Sequence, residues 1–278
     1  MTDVAAATPG PLVTSRIESG IAHVALNRPD KLNALTLDTL DQLVATAHRL
    51  RGDRSLRAVI LSGEGDAFCA GLDFGTVLRQ PNRVAAAFLP RPWRGTNTFQ
   101  EACWSWRRVP VPVIAAVHGH CLGGGLQIAL AADIRITTPD ARWSVLEAKW
   151  GLVPDMSGIQ ALSQLVGIDV AKRLTMTGET ISGAEAVRLG LATEENADPY
   201  AGALALAERI TERSPDSVAA AKRLFDRTWV AGARRTFARE RFEQARLLVN
   251  ANTAEARRAA TTGERPAYRR RAGLDPRG

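Results

Sequence analysis

Cysteine, histidine and aromatic residues are scarce in this chain. Its 278 residues include three cysteines and four histidines, and aromatic side chains make up 5%. Cys69, Cys103 and Cys121 have neither the spacing of a metal site nor that of a disulfide framework. His118 and His120 lie two apart with no further ligand cluster near them in the sequence. We therefore expect reduced thiols, no bound metal and a cytoplasmic location.

The chain also lacks a long apolar run and an export signal. No apolar segment approaches the ~20 residues of a membrane span, so we expect no membrane partner. Residues 1–11 have neither a basic start nor an apolar centre, and we expect them to form a disordered tail rather than a signal peptide. The 45% apolar and 23% charged residues are typical of a globular domain.

Positive charge exceeds negative charge by seven. The excess is concentrated towards the C-terminus, at Arg257, Arg258, Arg265, Arg269, Arg270 and Arg271. A solvated basic tail over residues 269–278 is the simpler interpretation. Binding of a phosphorylated ligand or of nucleic acid is the alternative. No nucleic-acid-binding motif accompanies the charge, so nucleic acid is the less favoured partner.

Strands and helices alternate through the first half of the chain. Thr36 is a candidate N-cap for a helix that runs to about Leu50. The segment 80–98 is rich in proline and predicts a loop or a broken helix. Strands are predicted at 21–26, 57–62, 113–117 and 133–137. The alternation predicts an α/β fold with a largely parallel sheet.

After Leu152 the pattern becomes helical. Asp169, Ser182 and Ser214 are candidate N-caps, and Pro215 suits a first helical position. Helices are predicted near 157–166, 169–176, 182–188, 199–212, 215–230 and 232–262.

The most informative segment joins the apolar strand 113–117 to an apolar helix through Gly123, Gly124 and Gly125. Because glycine has no Cβ, a ligand atom can approach this backbone closely. The N–H groups at a helix start favour negative charge on such an atom. A second loop, 69–72, follows a neighbouring strand, so the N–H groups of both loops are expected at one edge of the sheet. The alternative is that the glycines only permit tight turns.

Five segments resemble a known family in order and spacing. The resemblance covers about residues 13–268 and is to the crotonase superfamily, the enoyl-CoA hydratase/isomerase family. The segments are 26–29 with 33–35 (LNRP and NAL), 65–73 (GDAFCAGLD), 119–125 (GHCLGGG), 131–133 (AAD) and 151–154 (GLVP).

The resemblance implies a crotonase-like ββα spiral core over 12–198 and a helical C-terminal trimerisation region over 199–268. It also implies a homotrimer or a dimer of trimers. The implied substrate is an acyl-CoA thioester of fatty acid or related metabolism. No cofactor is implied beyond the coenzyme A of that substrate.

The family pattern also assigns binding residues. Backbone N–H groups that match Leu72 and Gly124 would form the oxyanion hole for the thioester oxygen. Segments that contact the substrate or its coenzyme A match Lys31, Leu32, Ala70, Gly71, Asp73, Phe74 and Gly123. A lysine is common in the family shortly after the aspartate, but this chain has Gly75 there. The phosphate contacts are therefore left open, and arginines are the alternative.

The catalytic positions depart from the family's hydratases, which use two glutamates. Glu147 matches the second glutamate, but Gln127 stands at the first. An amide can hydrogen-bond but exchanges no proton near neutral pH. Asp155 matches an aspartate of the dienoyl-CoA isomerases and the nucleophile of the aryl-CoA dehalogenases, although a helix cap is the alternative. Two carboxylates in one apolar pocket can divide acid and base roles.

These residues favour double-bond isomerisation of an unsaturated acyl-CoA, with Glu147 moving the proton and Asp155 assisting. Hydration of a 2-enoyl-CoA is the second hypothesis, with Gln127 only positioning the water. An RNA-binding family member and a non-catalytic acyl-CoA-binding protein remain as alternatives.

Overall fold

A computed structural model describes residues 10–273, and residues 1–9 and 274–278 lie outside it. Most of the predicted N-terminal tail and the end of the predicted basic tail therefore fall outside the described residues. The strands are β1 (Val13–Glu18), β2 (Ile21–Leu26), β3 (Ala58–Gly63), β4 (Val113–Val117), β5 (His120–Leu122), β6 (Ile134–Thr137), β7 (Arg142–Ser144), β8 (Ile181–Ser182) and β9 (Glu194–Glu195).

Twelve helices accompany these strands within the described range. They are α1 (Leu37–Gly52), α2 (Phe74–Val77), α3 (Pro81–Phe88), α4 (Thr98–Arg107), α5 (Gly124–Ala131), α6 (Gly158–Leu165), α7 (Ile168–Thr177), α8 (Gly183–Leu189), α9 (Pro199–Thr211), α10 (Pro215–Thr228), α11 (Ala233–Leu248) and α12 (Ala251–Thr262). Two short 3₁₀ turns lie at Pro29–Lys31 and Leu146–Trp150. None of these helices is long and apolar enough to cross a membrane.

The main sheet has six strands in the order β1-β2-β3-β4-β6-β9. β1 pairs antiparallel with β2, and every other neighbouring pair in this sheet is parallel. A smaller sheet joins β5, β7 and β8. The α/β class with a largely parallel sheet is therefore confirmed. β1 was missed by the sequence analysis because most of this edge strand is exposed and polar.

Both faces of the main sheet are covered, which explains the apolar strands. The larger apolar core lies on one face and includes α1, α4 and α5. On the other face, Ala203 and Ala207 of α9 pack against Ile60, Ile114 and Ile136. The first helix of the predicted trimerisation region is thus part of the sheet packing.

The observed starts of the helices can be compared with the N-caps that the sequence predicts. The side chains of Thr36, Ser182 and Ser214 accept backbone N–H groups of α1, α8 and α10, as expected. Asp169 was wrongly assigned as a cap, because α7 begins after Gly167 and Asp169 lies in its first turn. In the 80–98 segment α3 forms with Pro81 at its start and ends at Phe88, which agrees with the expected broken helix.

The single helix predicted over 232–262 is wrong. α11 ends at Leu248, and α12 starts at Ala251 with Asn250 as its N-cap. The side chain of Asn250 accepts the N–H of Asn252 at 2.7 Å. This local hydrogen bond competes with continuation of the helix, and the chain turns here.

The predicted solvated basic tail is wrong at Arg271, whereas Arg269 and Arg270 are exposed as expected. Arg271 is only 2% exposed, and its backbone N–H donates to the carbonyl oxygen of Arg54 at 3.0 Å. The backbone N–H of Ala272 donates to the carboxylate of Asp216. These bonds hold the segment against the loop after α1 and against α10, and no charge pattern in the sequence indicates them.

Asn33 joins the two loops that lead towards the edge of the sheet. Its side chain is 1% exposed, and its Oδ1 accepts the N–H of Arg28 at 2.8 Å. Its Nδ2 donates to the carbonyl oxygens of Glu64 and Ala67 at 2.9 and 2.7 Å. The turn after β2 is therefore fixed to the loop after β3.

Replacement of Asn33 by alanine removes the hydrogen-bond partner of these three backbone groups, of which the Ala67 carbonyl is fully buried and the other two are partly buried. We expect Asn33→Ala to lower the free energy of unfolding by about 3 kcal/mol. Equilibrium urea denaturation at a fixed protein concentration measures this change. Asn82→Ala, at an exposed position of α3, is the control and should change stability by less than about 0.5 kcal/mol. Equal effects of the two substitutions would contradict the role of Asn33.

Candidate active site

Two loops meet at the carboxyl edge of the parallel strands. Cys69 and Cys121 form a parallel β-bridge between them. The N–H of Cys69 donates to the carbonyl of His120 at 2.8 Å, and the N–H of Leu122 donates to the carbonyl of Cys69 at 3.0 Å. All three cysteines are free and buried, and burial raises the pKa of Cys69 to about 12. The cysteines therefore act as small buried side chains rather than nucleophiles.

The bridge brings the loop that contains Gly71 and Leu72 against the glycine loop. Gly71 has φ +94°, and a Cβ there would lie 2.9 Å from the carbonyl oxygen of Leu122 and 3.6 Å from the nitrogen of Gly124. Gly124 is the first residue of α5, so its N–H has no acceptor within the helix. The N–H of Leu72 donates to no acceptor between residues 10 and 273. The two groups are free to bind an oxygen atom with negative charge.

Gln127 lies beneath these loops, and both ends of its side-chain amide make hydrogen bonds. Its side chain is 1% exposed. Oε1 accepts the backbone N–H groups of Met156 and Gly158 at 2.8 and 2.9 Å. Nε2 donates to Oε1 of Glu147 at 2.6 Å. Because only the oxygen can accept those two N–H groups, the NH₂ group must face Glu147.

Glu147 extends from the 3₁₀ turn after β7 towards the glycine loop. A Cβ on Gly123 would lie 3.5 Å from its Oε1. Its other oxygen, Oε2, is buried and has no hydrogen-bond partner in the described part of the chain. Buried acceptors are rarely left unpaired, so this oxygen is the one available to a ligand.

The pKa values of the Glu147 and Asp155 carboxyl groups are both shifted upwards. Burial raises the pKa of Glu147, and the charge of Asp155 raises it further, while the hydrogen bond from Gln127 opposes the shift. Burial also raises the pKa of Asp155. Both carboxyl groups therefore accept a proton at a higher pH than an exposed carboxylate does.

Asp155 does not cap a helix, so this alternative is wrong. α6 begins at Gly158, and its N-cap residue is Ser157, whose side chain makes no capping bond. Asp155 is half-buried in the turn that Gln127 holds through the N–H groups of Met156 and Gly158. The same amide thus fixes both Glu147 and the turn that carries Asp155.

The residues predicted to contact coenzyme A lie beside these loops. Lys31 and Leu32 are exposed on a turn, and the N–H of Ala70 donates to the carbonyl of Leu32 at 2.9 Å. Asp73 has a structural partner that the sequence did not indicate, because it pairs with Arg28 at 2.7 Å and caps α2. The hydrogen bond from Arg28 holds the pKa of Asp73 below its usual range.

Trp150, which lies three residues after Glu147 in the sequence, and Met156 are two further residues near these loops. Trp150 is 60% exposed, and its ring lies 5.0 Å from that of Phe74. Met156 is buried, and its sulfur lies 2.9 Å from where a Cβ on Gly124 would be. Among residues 10–273 no group of three or more potential ligands is arranged to hold a metal ion.

Comparison with known proteins agrees with this geometry. A family model for enoyl-CoA hydratase/isomerase matches residues 16–262. The mitochondrial enoyl-CoA hydratase domain-containing protein 2 of Bos taurus is 37% identical over 215 residues, which cover 75% of this chain and 70% of that protein. The peroxisomal Delta(3,5)-Delta(2,4)-dienoyl-CoA isomerase of Arabidopsis thaliana is 31% identical over 219 residues, covering 76% and 79%.

A solved structure extends the likeness to the whole fold. The enoyl-CoA hydratase from Bacillus anthracis has a TM-score of 0.84 at 26% identity, and the match covers 92% of this chain and 98% of that chain. The chain therefore belongs to the enoyl-CoA hydratase/isomerase family and has the crotonase fold.

The proximity of Asp155 predicts a change in the titration of Glu147. Removal of the Asp155 charge in Asp155→Asn favours the ionised form of Glu147, so the pKa of Glu147 should fall. Carbon-13 NMR of labelled glutamate carboxyl groups measures this, with Glu147→Gln to assign the signal. Asp140→Asn, at an exposed position, should leave the signal unchanged. A pKa of Glu147 that stays the same or rises in Asp155→Asn would refute the coupling.

Proposed function

We propose that this protein isomerises the double bond of an unsaturated acyl-CoA. The observation that carries the proposal is the hydrogen bond from Gln127 to Glu147, with the Gln127 oxygen bound to two backbone N–H groups. This arrangement excludes a second acid at position 127. One ionisable group that takes a proton and returns it elsewhere is sufficient for isomerisation, whereas addition of water is normally served by two.

The thioester oxygen binds between the N–H groups of Leu72 and Gly124. Loss of a proton from the acyl chain moves an electron pair through the conjugated carbons to this oxygen, which becomes an enolate. The two hydrogen bonds strengthen as the charge develops, and the positive end of the α5 dipole adds to them. The site thus stabilises the enolate more than the neutral thioester.

Glu147 moves the proton through Oε2, because Oε1 is occupied by the Gln127 amide. The carboxylate takes a proton from one carbon, and the carboxylic acid returns it to another, so no atom is gained or lost. Its raised pKa makes it a stronger base than an exposed carboxylate. Asp155, also half-buried with a raised pKa, assists as the second acid or base.

Coenzyme A lies along the Lys31–Leu32 turn and the Ala70–Phe74 segment, and Gly123 permits close approach of the acyl group. The reaction needs no further cofactor. We propose that the protein works in the cytoplasm as a homotrimer or a dimer of trimers. The exposed apolar side chains of α10 and α11, such as Phe225 and Phe237, support subunit contact.

Hydration of a 2-enoyl-CoA is the second candidate. Several relatives are named as hydratases, among them the short-chain-enoyl-CoA hydratase of Clostridium acetobutylicum, 35% identical over 213 residues. In this candidate Glu147 activates the water and the Gln127 amide only positions it. Assays with 3-enoyl-CoA, dienoyl-CoA and crotonyl-CoA substrates distinguish the two reactions. A non-catalytic acyl-CoA-binding or RNA-binding role would give no turnover with any of them.

Glu147→Gln keeps the size of the side chain but removes the base. We expect kcat for isomerisation to fall by at least about 10²-fold, while binding of the acyl-CoA is retained. Steady-state kinetics and calorimetric binding to a substrate analogue measure the two quantities. Glu185→Gln, on α8, is the control and should be fully active. Retention of rapid turnover in Glu147→Gln would exclude both isomerisation and hydration by Glu147.

Gln127→Glu should move the enzyme towards hydration. The new carboxyl oxygen would face Oε1 of Glu147 at hydrogen-bond distance, so the two groups would share a proton. We expect the ratio of crotonyl-CoA hydration to isomerisation to increase by about tenfold or more. Gln127→Ala is the control. It removes the hydrogen bonds that the amide oxygen accepts and the one that the NH₂ group donates, and it should gain no hydration. A Gln127→Glu variant with the original ratio would contradict the role given to the amide.

A further inference from the structure

Two aromatic side chains connect the loop of Leu72 with the turn of Glu147. Phe74 begins α2, two residues after Leu72, and Trp150 ends the 3₁₀ turn that contains Glu147. Their ring centroids lie 5.0 Å apart, and the ring planes are tilted by 40°. We call Phe74 and Trp150 the aromatic pair. Under the proposed function, it links the segment of an oxygen-binding N–H group with the segment of the proton acceptor.

The geometry of the 3₁₀ turn determines the side on which Trp150 lies. A 3₁₀ helix has three residues per turn, so side chains three residues apart leave the same face. Trp150 follows Glu147 by three residues, and the two side chains therefore share a face. Glu147 is half-buried, whereas Trp150 is exposed. The indole is thus on the solvent side of the carboxyl group, beside the path of a ligand that reaches Glu147.

The Phe74 side of the aromatic pair is anchored to the fold. The carboxylate of Asp73 accepts the backbone N–H of Thr76 at the start of α2 and pairs with Arg28 at 2.7 Å. These contacts fix the chain on both sides of Phe74. A wall that is held in place before a ligand binds loses little conformational freedom when the ligand arrives.

Most of the Trp150 indole is uncovered, although Phe74 contacts it. Leu152 and Val153, which follow in the same segment, are also exposed. Exposed apolar side chains that stand together indicate a binding surface. Because an indole is flat and has a π-electron face, a planar conjugated group covers it better than a flexible saturated chain does.

The proposed reaction indicates which part of the ligand meets this indole. Glu147 exchanges a proton with carbons of the acyl chain, so these carbons lie close to its carboxyl group. Trp150 lies on the same face of the turn, and the acyl carbons near the thioester are therefore the atoms within its reach. Conjugated double bonds keep such a chain planar, whereas a saturated chain bends at each carbon.

We propose that Trp150 is a specificity-determining residue that selects acyl groups with a planar conjugated chain. Its indole stacks on the conjugated carbons, and Phe74 holds the indole in position. The inference rests on the proposed function, which brings the acyl chain to Glu147, and it narrows the substrate class to conjugated acyl-CoA thioesters.

Binding of two ligands of equal length tests this inference without turnover. 2,4-Hexadienoyl-CoA and hexanoyl-CoA have the same number of acyl carbons and differ only in conjugation. Isothermal titration calorimetry of the full chain with Glu147→Gln, which removes the base, measures both dissociation constants. We expect the dienoyl ligand to bind at least about fivefold tighter. Addition of Trp150→Leu should bring the ratio of the two constants to about one, and Trp150→Phe should restore most of the preference.

Trp93→Leu is the matched control. Trp93 is also an exposed indole, but it lies in the segment between α3 and α4. Its replacement should leave the ratio of the two dissociation constants unchanged. Because both indoles are exposed, neither substitution removes packing from the core.

Three results would overturn the role of Trp150. Equal weakening of both ligands in Trp150→Leu would place the indole against the coenzyme A that they share. An unchanged ratio in that variant, or equal affinity for the two ligands before the substitution, would exclude stacking. Failure of the proposed function gives a different result, because the wild-type protein would then isomerise no unsaturated acyl-CoA while the ratio still depended on Trp150.

Discussion

The orientation of one buried amide determines the chemistry of this site. Gln127 has two backbone N–H groups on its oxygen, so its NH₂ group can only face Glu147. That contact occupies one oxygen of Glu147 and leaves the other free and buried. The same amide holds the turn that carries Asp155. The position of both carboxyl groups, and the number of ionisable groups at the site, therefore depend on Gln127.

The scaffold brings the rest of the site to this amide. Parallel strands β3 and β4 end at the same edge of the sheet, and the bridge between Cys69 and Cys121 aligns the loops that follow them. Gly71 permits the close contact between the two loops, and the N–H groups of Leu72 and Gly124 have no acceptor among the described residues. Under the proposed function these two N–H groups bind the thioester oxygen while Glu147 accepts the proton.

Local signals were reliable where a single side chain decides the structure. The caps at Thr36, Ser182 and Ser214 were predicted because each side chain bonds a backbone group three residues away. Predictions of structure from the sequence failed where contacts between distant parts of the chain determine the local structure. β1 is held by its pairing with β2, and Arg271 is held by Arg54 in the loop after α1, more than 200 residues earlier in the chain. The charge of Arg271 gave no indication of this burial.

The sequence by itself determined the parallel sheet, the glycine loops, the family and the candidate pair of Glu147 and Asp155. These features depend on periodicity, glycine conformation and motif spacing, which are local properties of the chain. Only the tertiary structure decided that Gln127 donates to Glu147, that Asp155 is not a helix cap and that Asp73 pairs with Arg28. An amide has both a donor and an acceptor, and which of them faces a neighbour depends on groups that folding brings together from distant parts of the chain.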